Sequence, residues 1–306
     1  MIPAVSIVIP TFNAMATLPA LLDAIDHQDD EAAREVIVVD SGSTDGTGAY
    51  VARRLGAPIV VERFDHGATR NAGVDASRAP LVVVTVQDAR PVTRGWLRHL
   101  VRPLREDARV AAVFARQVPR ADANAVVQHN LSQWVAGRPE PRVVEMTASE
   151  FEAMSPHQRL ERCAFDNVCS AIRREVWTRH PFTTAPIAED LEWARDVLLA
   201  GGRIAYEPEA TVEHSHDRSP LYELKRTWLL HQRLFHLFGL RTIPTPGALG
   251  RAIASSLRMH HRLGAAAAGP SRHGHGAALA LAWPLGQFIG GWTAAHGRDR
   301  WRPRGV

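Results

Sequence analysis

Cysteine is nearly absent from this 306-residue chain. The two present, Cys163 and Cys169, lack the paired spacing of a zinc site, and so few in so long a chain exclude a disulfide framework. A reducing compartment follows. The amino terminus lacks a second feature. Met1-Ile2-Pro3-Ala4-Val5 runs directly into an apolar, β-like stretch, with neither the basic start nor the small-residue cleavage site of a secretory signal. The expectation is a cytoplasmic protein. No G-x-G-x-x-G follows either of the first two strand-like runs, which removes the dinucleotide fingerprint. No Gly-rich, Lys-bearing phosphate loop precedes Asp40, which argues against nucleotidyl transfer. No internal repeat is visible.

Acidic residues are scarce in one region only. Residues 1–218 carry 24 Arg against 30 acidic residues, whereas the last 88 residues hold 12 Lys and Arg against Glu223 and Asp299. This split predicts a mildly acidic body over 1–218 and a strongly basic, helical tail over 219–306. Such a tail suits nucleic acid or anionic lipid. Residues 277–295 favour lipid over nucleic acid, since they carry no charge and include Trp283 and Trp292. At ~1.5 Å per residue they would cross most of a bilayer, yet Pro284, Gln287 and neighbouring glycines make a poor spanning helix. An interfacial segment flanked by Arg298, Arg300, Arg302 and Arg304 is expected, peripheral on the inner face of the cell membrane. The plainer alternative is a partly buried helix that completes a globular core.

What is present in the first half is a rhythm. Strand-like runs at 5–9, 36–39, 59–61 and 81–86 alternate with helical patterns at 17–27 and 46–55. That order predicts an α/β fold with a mainly parallel sheet and helices on both faces. Residues 116–165 read as a long, partly helical insertion. Strand patterns return at 168–172 and 203–206, with helical ones at 174–179 and 189–200. After Ser219 the chain reads as helical, with a break at Pro244-Thr245-Pro246 and a linker at 269–276.

Ligands of such sheets bind beyond the carboxyl ends of the strands, so the residues there are the candidates. Pro10, Thr11 and Phe12 form one wall of a slot for a base and ribose, and Asp40 is placed to accept from their polar edge. Asp40 reads equally as a turn cap with Ser41 and Ser43. His66-Gly67-Ala68-Thr69-Arg70 opens a helix, where amides and an arginine suit a diphosphate; a surface arginine beside a turn glycine is the alternative. Asp88 ends a buried strand and can hold a divalent cation, Mg or Mn, with His214 as a further ligand. His214 and His216, at alternate positions of a strand, would point to one side, although a solvated pair is as common. Glu189 and Asp190 open an amphipathic helix. The macrodipole alone explains acids there, and a general base for sugar transfer can stand there too.

Taken in order, Val5-Ser6-Ile7-Val8-Ile9-Pro10-Thr11-Phe12-Asn13, Val36-Ile37-Val38-Val39-Asp40-Ser41-Gly42-Ser43-Thr44-Asp45-Gly46-Thr47 and Glu189-Asp190 resemble glycosyltransferase family 2 with its GT-A fold. The resemblance covers about 3–238. A closer branch, the bacterial rhamnosyltransferases, is resembled at Phe64-Asp65-His66-Gly67-Ala68-Thr69-Arg70-Asn71, Thr85-Val86-Gln87-Asp88-Ala89, Ala115-Arg116-Gln117, Asn167-Val168-Cys169-Ser170, Ile187-Ala188-Glu189-Asp190-Leu191-Glu192-Trp193 and Val212-Glu213-His214-Ser215-His216. The resemblance implies dTDP-L-rhamnose as nucleotide-sugar donor, inversion, and a lipid-linked saccharide acceptor. It implies nucleotide contacts from Pro10, Thr11, Asn13, Asp40, Arg70 and Gln87, a metal at Asp88 and His214, and Asp190 as base. Donor or acceptor contacts are expected from Arg116, Gln117, Glu189, Trp193 and His216. Two departures stand out: Gln87-Asp88-Ala89 lacks the first and third Asp-type partners of the wider family's DXD motif, and Ala115 stands where the branch often has glycine.

Overall fold

The computed structural model describes residues 3–29, 33–216, 218–265 and 273–298. The chain begins with β1 (Val5–Thr11), α1 (Leu18–Asp26), β2 (Arg34–Asp40), α2 (Thr47–Arg54), β3 (Ile59–Val60), α3 (His66–Ala76) and β4 (Leu81–Thr85). β1 is buried at every position, as a central strand covered on both faces must be. α1 forms because Leu18, Leu21, Leu22 and Ile25 recur at helical spacing and all turn inward, with Pro19 in its first turn. Next come β5 (Arg90–Pro91), α4 (Trp96–Glu106), β6 (Val110–Val118), α5 (Ala125–Gln133), β7 (Arg142–Val144), α6 (Ala148–Ala153), α7 (Pro156–Arg162), β8 (Cys169–Arg173), α8 (Arg174–Arg179), α9 (Glu189–Leu199) and β9 (Arg203–Glu213).

The nine strands form one mixed sheet in the order β3-β2-β1-β4-β8-β6-β9-β5, with β7 paired to β9. β3, β2, β1 and β4 are parallel, as are β6 and β9, while β8 runs antiparallel between β4 and β6. Alternate residues serve opposite faces. Val5, Ile7, Ile9 and Val83 join a core with α1, Val51 of α2, and Trp96, Leu97, Leu100, Val101 and Leu104 of α4. Val8 points the other way, against α3. There a Cβ on Gly73 would lie 2.2 Å from Val8 Cγ1, so only glycine lets the helix approach this closely.

Several elements differ from the pattern, among them β9, which runs on to Glu213. α4 lies where no helix is predicted, because Pro103 sits inside it and reads as a breaker. β6 carries its strand through Arg116 and Gln117 into the predicted insertion. α12 starts at His273, inside the predicted linker.

The chain divides into two compact units, one of 1–120, 131–152 and 163–214, the other of 121–130, 153–162 and 215–306. The second contains α10 (Pro220–Phe238), α11 (Pro246–Ala265) and α12 (His273–Ala295), with the expected break between α10 and α11. Ser219 caps α10 and Gly239, at φ 72°, ends it in the left-handed region. Gly286 and Gly290 let α12 lie against the backbone of α10, where a Cβ would be 2.8 Å from the Leu224 carbonyl oxygen or 2.4 Å from that of Trp228. Trp228 and Gln232 of α10 donate to Thr293 of α12 at 3.2 and 2.9 Å. From 276 on, α12 exposes only Ala277, Ala278 and Leu281, so its apolar surface is mostly covered, as the plainer alternative expects. Among the described residues no helix is long and apolar enough to cross a membrane. Arg298 stacks over Trp292; Arg300, Arg302 and Arg304 lie outside the described residues.

Candidate active site

Strand direction decides where the candidate residues meet. The carboxyl ends of β1, β2, β4, β6 and β9 share one edge of the sheet. Because β8 runs the other way, its beginning reaches that same edge, with Cys169 opposite Thr85 and Ser170 opposite Phe114. Asp40 ends β2, Asp88 follows β4, and Asp190 is held beside Asn167 just ahead of β8. All three carboxylates lie along this edge.

At the first end, Thr11 and Asp40 are register partners, and the Thr11 hydroxyl donates to Asp40 Oδ1 at 2.8 Å. Ser43 donates its hydroxyl to the same oxygen at 2.6 Å and its amide to Oδ2 at 2.9 Å. The turn-cap reading of Asp40 is therefore realised. These bonds fill three of about four acceptor positions on a carboxylate, leaving one at Oδ2 for a ligand. Asn13, at φ 49°, occupies the left-handed region that asparagine tolerates. Its amide donates to Ser43 Oγ, and its side-chain oxygen accepts from the Thr44 amide, each at 2.8 Å. Gln87 clasps the backbone of Phe12, accepting from its amide at 2.8 Å and donating to its carbonyl at 3.2 Å. Gln87 thus steadies the wall, while the Phe12 ring stands 54% exposed beside Pro10 and Thr11.

Arg70 is not the open anion clamp expected. Its Nη1 lies 3.1 Å from Glu189 Oε1 with both side chains buried, and also donates to the His66 carbonyl. The Asp65 carboxylate caps the amide of Ala68 at the start of α3, where an anion would otherwise bind. Gly67 brings this turn against the Thr183 carbonyl, 2.0 Å from where a Cβ would stand.

α9 begins after Ala188, a non-glycine residue at φ 61°. Such strain collects at functional positions. Asp190 is partly buried; its Oδ1 accepts from the Leu191 amide at 2.8 Å and its Oδ2 faces the Asn167 amide at 3.4 Å. Burial, then the Glu189 and Asp166 carboxylates, push its carboxyl well above the ordinary carboxylate range, against the pull of Arg70. Asp166, not singled out by the sequence pattern, is thus part of the site.

Asp88, His214 and His216 bring one ligand atom each within 4.8 Å of one another, a group able to hold a metal ion. His214 Nε2 is 3.8 Å from Asp88 Oδ1, and the His214 amide is tied to the Val118 carbonyl. β9 ends at Glu213, so the histidines follow the strand instead of lying in it. Gln117 accepts from or donates to nothing exposed: it is 5% exposed and bridges His214 Nδ1 and Asp166. Arg116, its neighbour, points to the opposite face of β6, where its charge acts on Tyr206. Trp193 is buried between Phe165 and Phe182, with its indole N–H on the His180 carbonyl. It packs α9 and does not face the edge as a sugar contact would.

This fold is of the GT-A kind. Residues 6–177 match Glycosyl transferase family 2, and the chain belongs to that family. It is 30% identical over 229 residues to the O-antigen chain rhamnosyltransferase RfbN of Salmonella typhimurium, covering 72% of this chain and 69% of that protein. It is equally 30% identical to the O-antigen chain rhamnosyltransferase WbaN of Salmonella anatum, over 73% of this chain and 70% of the relative. Among solved structures, a mannosyltransferase from Pyrobaculum calidifontis, in complex with GDP-Man and Mn2+, aligns at a TM-score of 0.59 and 23% identity over 98% of this chain and 88% of its own. Glucosyl-3-phosphoglycerate synthase from Mycobacterium tuberculosis, in complex with Mn2+, UDP and glucosyl-3-phosphoglycerate, aligns at 0.53 and 23% over 80% and 82%.

Proposed function

We propose that the chain transfers L-rhamnose from dTDP-L-rhamnose, with inversion, to a hydroxyl of a lipid-linked surface-polysaccharide precursor. The observation that carries this reading is Asp190: a carboxyl of raised proton affinity on the sheet edge that also bears Asp40 and the Asp88–His214 pair. The rhamnosyltransferase relatives support the choice of sugar.

Each residue has a role in that reaction. Asp190 takes the proton of the acceptor hydroxyl while that oxygen attacks the anomeric carbon from the face opposite the leaving dTDP. Its raised proton affinity makes it a stronger base. The Leu191 and Asn167 amides hold it in place beside the Arg70–Glu189 pair. Asp40, Thr11 and Asn13 hold the nucleoside, with Pro10 and Phe12 as its wall and Gln87 fixing that wall. Asp88 and His214 would hold a divalent cation, which neutralises charge on the departing diphosphate. One carboxylate with imidazole suits Mn2+ better than Mg2+. The basic C-terminal unit would meet anionic headgroups on the cytoplasmic leaflet, where a lipid-linked acceptor is presented.

A donor screen tests the reading. Purified chain with Mn2+ is offered dTDP-rhamnose, GDP-mannose and several UDP-sugars, and free nucleoside diphosphate is detected. Release of dTDP alone is expected. Preference for a UDP- or GDP-sugar keeps the transferase and discards rhamnose. No calorimetric heat with millimolar dTDP and Mn2+ would make the chain a transferase-like scaffold without chemistry.

A further inference from the structure

Gln117 connects two sites that the sequence keeps far apart. From β6 its Nε2 reaches Asp166 Oδ2 at 2.6 Å, while its Oε1 lies 3.1 Å from His214 Nδ1. The second Asp166 oxygen accepts from the Val168 amide at 2.9 Å, which keeps that carboxylate from turning away. The polarity of the chain is then set by elementary hydrogen-bond chemistry. An ionised carboxylate has no hydrogen to give, so only the amide nitrogen of Gln117 can face it. The amide oxygen must therefore face His214, and a carbonyl only accepts. Nδ1 of His214 must carry the hydrogen.

A neutral imidazole has one N–H. With Nδ1 protonated, Nε2 presents a lone pair, and that nitrogen faces Asp88 Oδ1 across 3.8 Å. A ring lone pair and a carboxylate oxygen facing one another are N and O ligand atoms of the kind a divalent cation takes.

We propose that Asp166, acting through the Gln117 amide, holds His214 in its Nδ1–H tautomer and so turns the Nε2 lone pair and Asp88 onto one divalent cation. The proposal rests on the reading of Asp88 and His214 as that cation's ligands. Asp166 and Gln117 are positioning residues: neither touches the cation. Partners of this kind change metal affinity by about 10–100-fold when removed.

The test needs no turnover. Full-length chain labelled with 15N-histidine is studied by 15N–1H correlation without cation, at roughly pH 8, where free imidazole is neutral. His214→Asn identifies the resonance. A dominant Nδ1–H form is expected; a dominant Nε2–H form overturns the proposal. In Asp166→Asn, either end of the new amide can face Gln117, so the polarity is released. A mixture of tautomers is expected, with Mn2+ binding, read by electron paramagnetic resonance, weakened about tenfold or more. An unchanged tautomer with unchanged Mn2+ affinity also overturns it. Wild-type chain that shows the Nδ1–H form yet binds no Mn2+ at millimolar concentration separates the two claims. The tautomer assignment then stands, and the cation-site reading fails.

Discussion

Burying a carboxyl among other carboxyls makes the folded chain hold a proton that the unfolded chain releases, and Asp190 is in that position. Between its ordinary value of 3.8 and its raised value, the folded state binds more protons, so its contribution to stability falls as pH rises through that window. Below 3.8 both states are protonated and the effect vanishes. Asp190→Asn should therefore melt higher than wild type at roughly pH 8, with the gap closing toward roughly pH 4. Its transfer rate should drop by about 10²–10⁴. Equal melting curves at both pH values would remove the strained carboxylate from the account. Arg70 carries the opposite liability: Arg70→Met leaves Glu189 buried without its cation. A loss of ~3–5 kcal/mol in urea unfolding is expected, largely recovered by adding Glu189→Met. At this scale the sequence makes Asp40, Asp88 and Asp190 legible, because each follows a strand or opens a helix. Asp166 and the bridging role of Gln117 are not legible: their partners are fixed by β6, β8 and β9 meeting, which no local pattern encodes. Gln87 and Trp193 also carry contacts that their motif position does not announce, Gln87 on the Phe12 backbone and Trp193 on the His180 carbonyl.

Among the elements, α3 is held close to its neighbours at two glycines. It sits so close to β1 that Gly73→Ala must displace Val8, itself fully buried. Overpacking of this kind costs about 1–3 kcal/mol, and thermal denaturation should show it. Gly67→Ala meets backbone instead of a side chain, so the first turn of α3 must lift from Thr183. Arg70 rides on that turn, and the variant should lose activity as well as stability. A Gly67→Ala chain with wild-type kcat would separate α3 from the site. The alternating rhythm of 5–86 makes the parallel half of the sheet readable, down to the strand ends. The other half is harder, because β6 enters polar sequence and β8 reverses direction, a choice made by its neighbours and not by its own residues.

At the scale of the whole molecule, the basic residues of 219–306 are expected to meet anionic lipid, while α12 has most of its apolar side covered. Membrane contact should then be electrostatic: each basic side chain near the surface contributes about 1 kcal/mol and salt weakens it. Co-sedimentation with phosphatidylglycerol vesicles should fall steeply from roughly 0.05 to 0.5 M NaCl, and pure phosphatidylcholine vesicles should bind little. Salt-independent binding to both would instead require apolar insertion. The division of charge is legible in the sequence; the covering of α12 is not, since it depends on Gly286 and Gly290 meeting α10.

The reversal of β8 has a consequence for how such a chain diversifies. β6 ends at the rim and β8 starts from it, and between them β7 rejoins the sheet beside β9, so both stems of 119–168 are anchored where the chemistry is expected. Lengthening the connections on either side of β7 costs little, only about 0.6 kcal/mol per doubling, and leaves the strand register alone. Loop length there can therefore vary while the β1–β4 half of the sheet stays as it is.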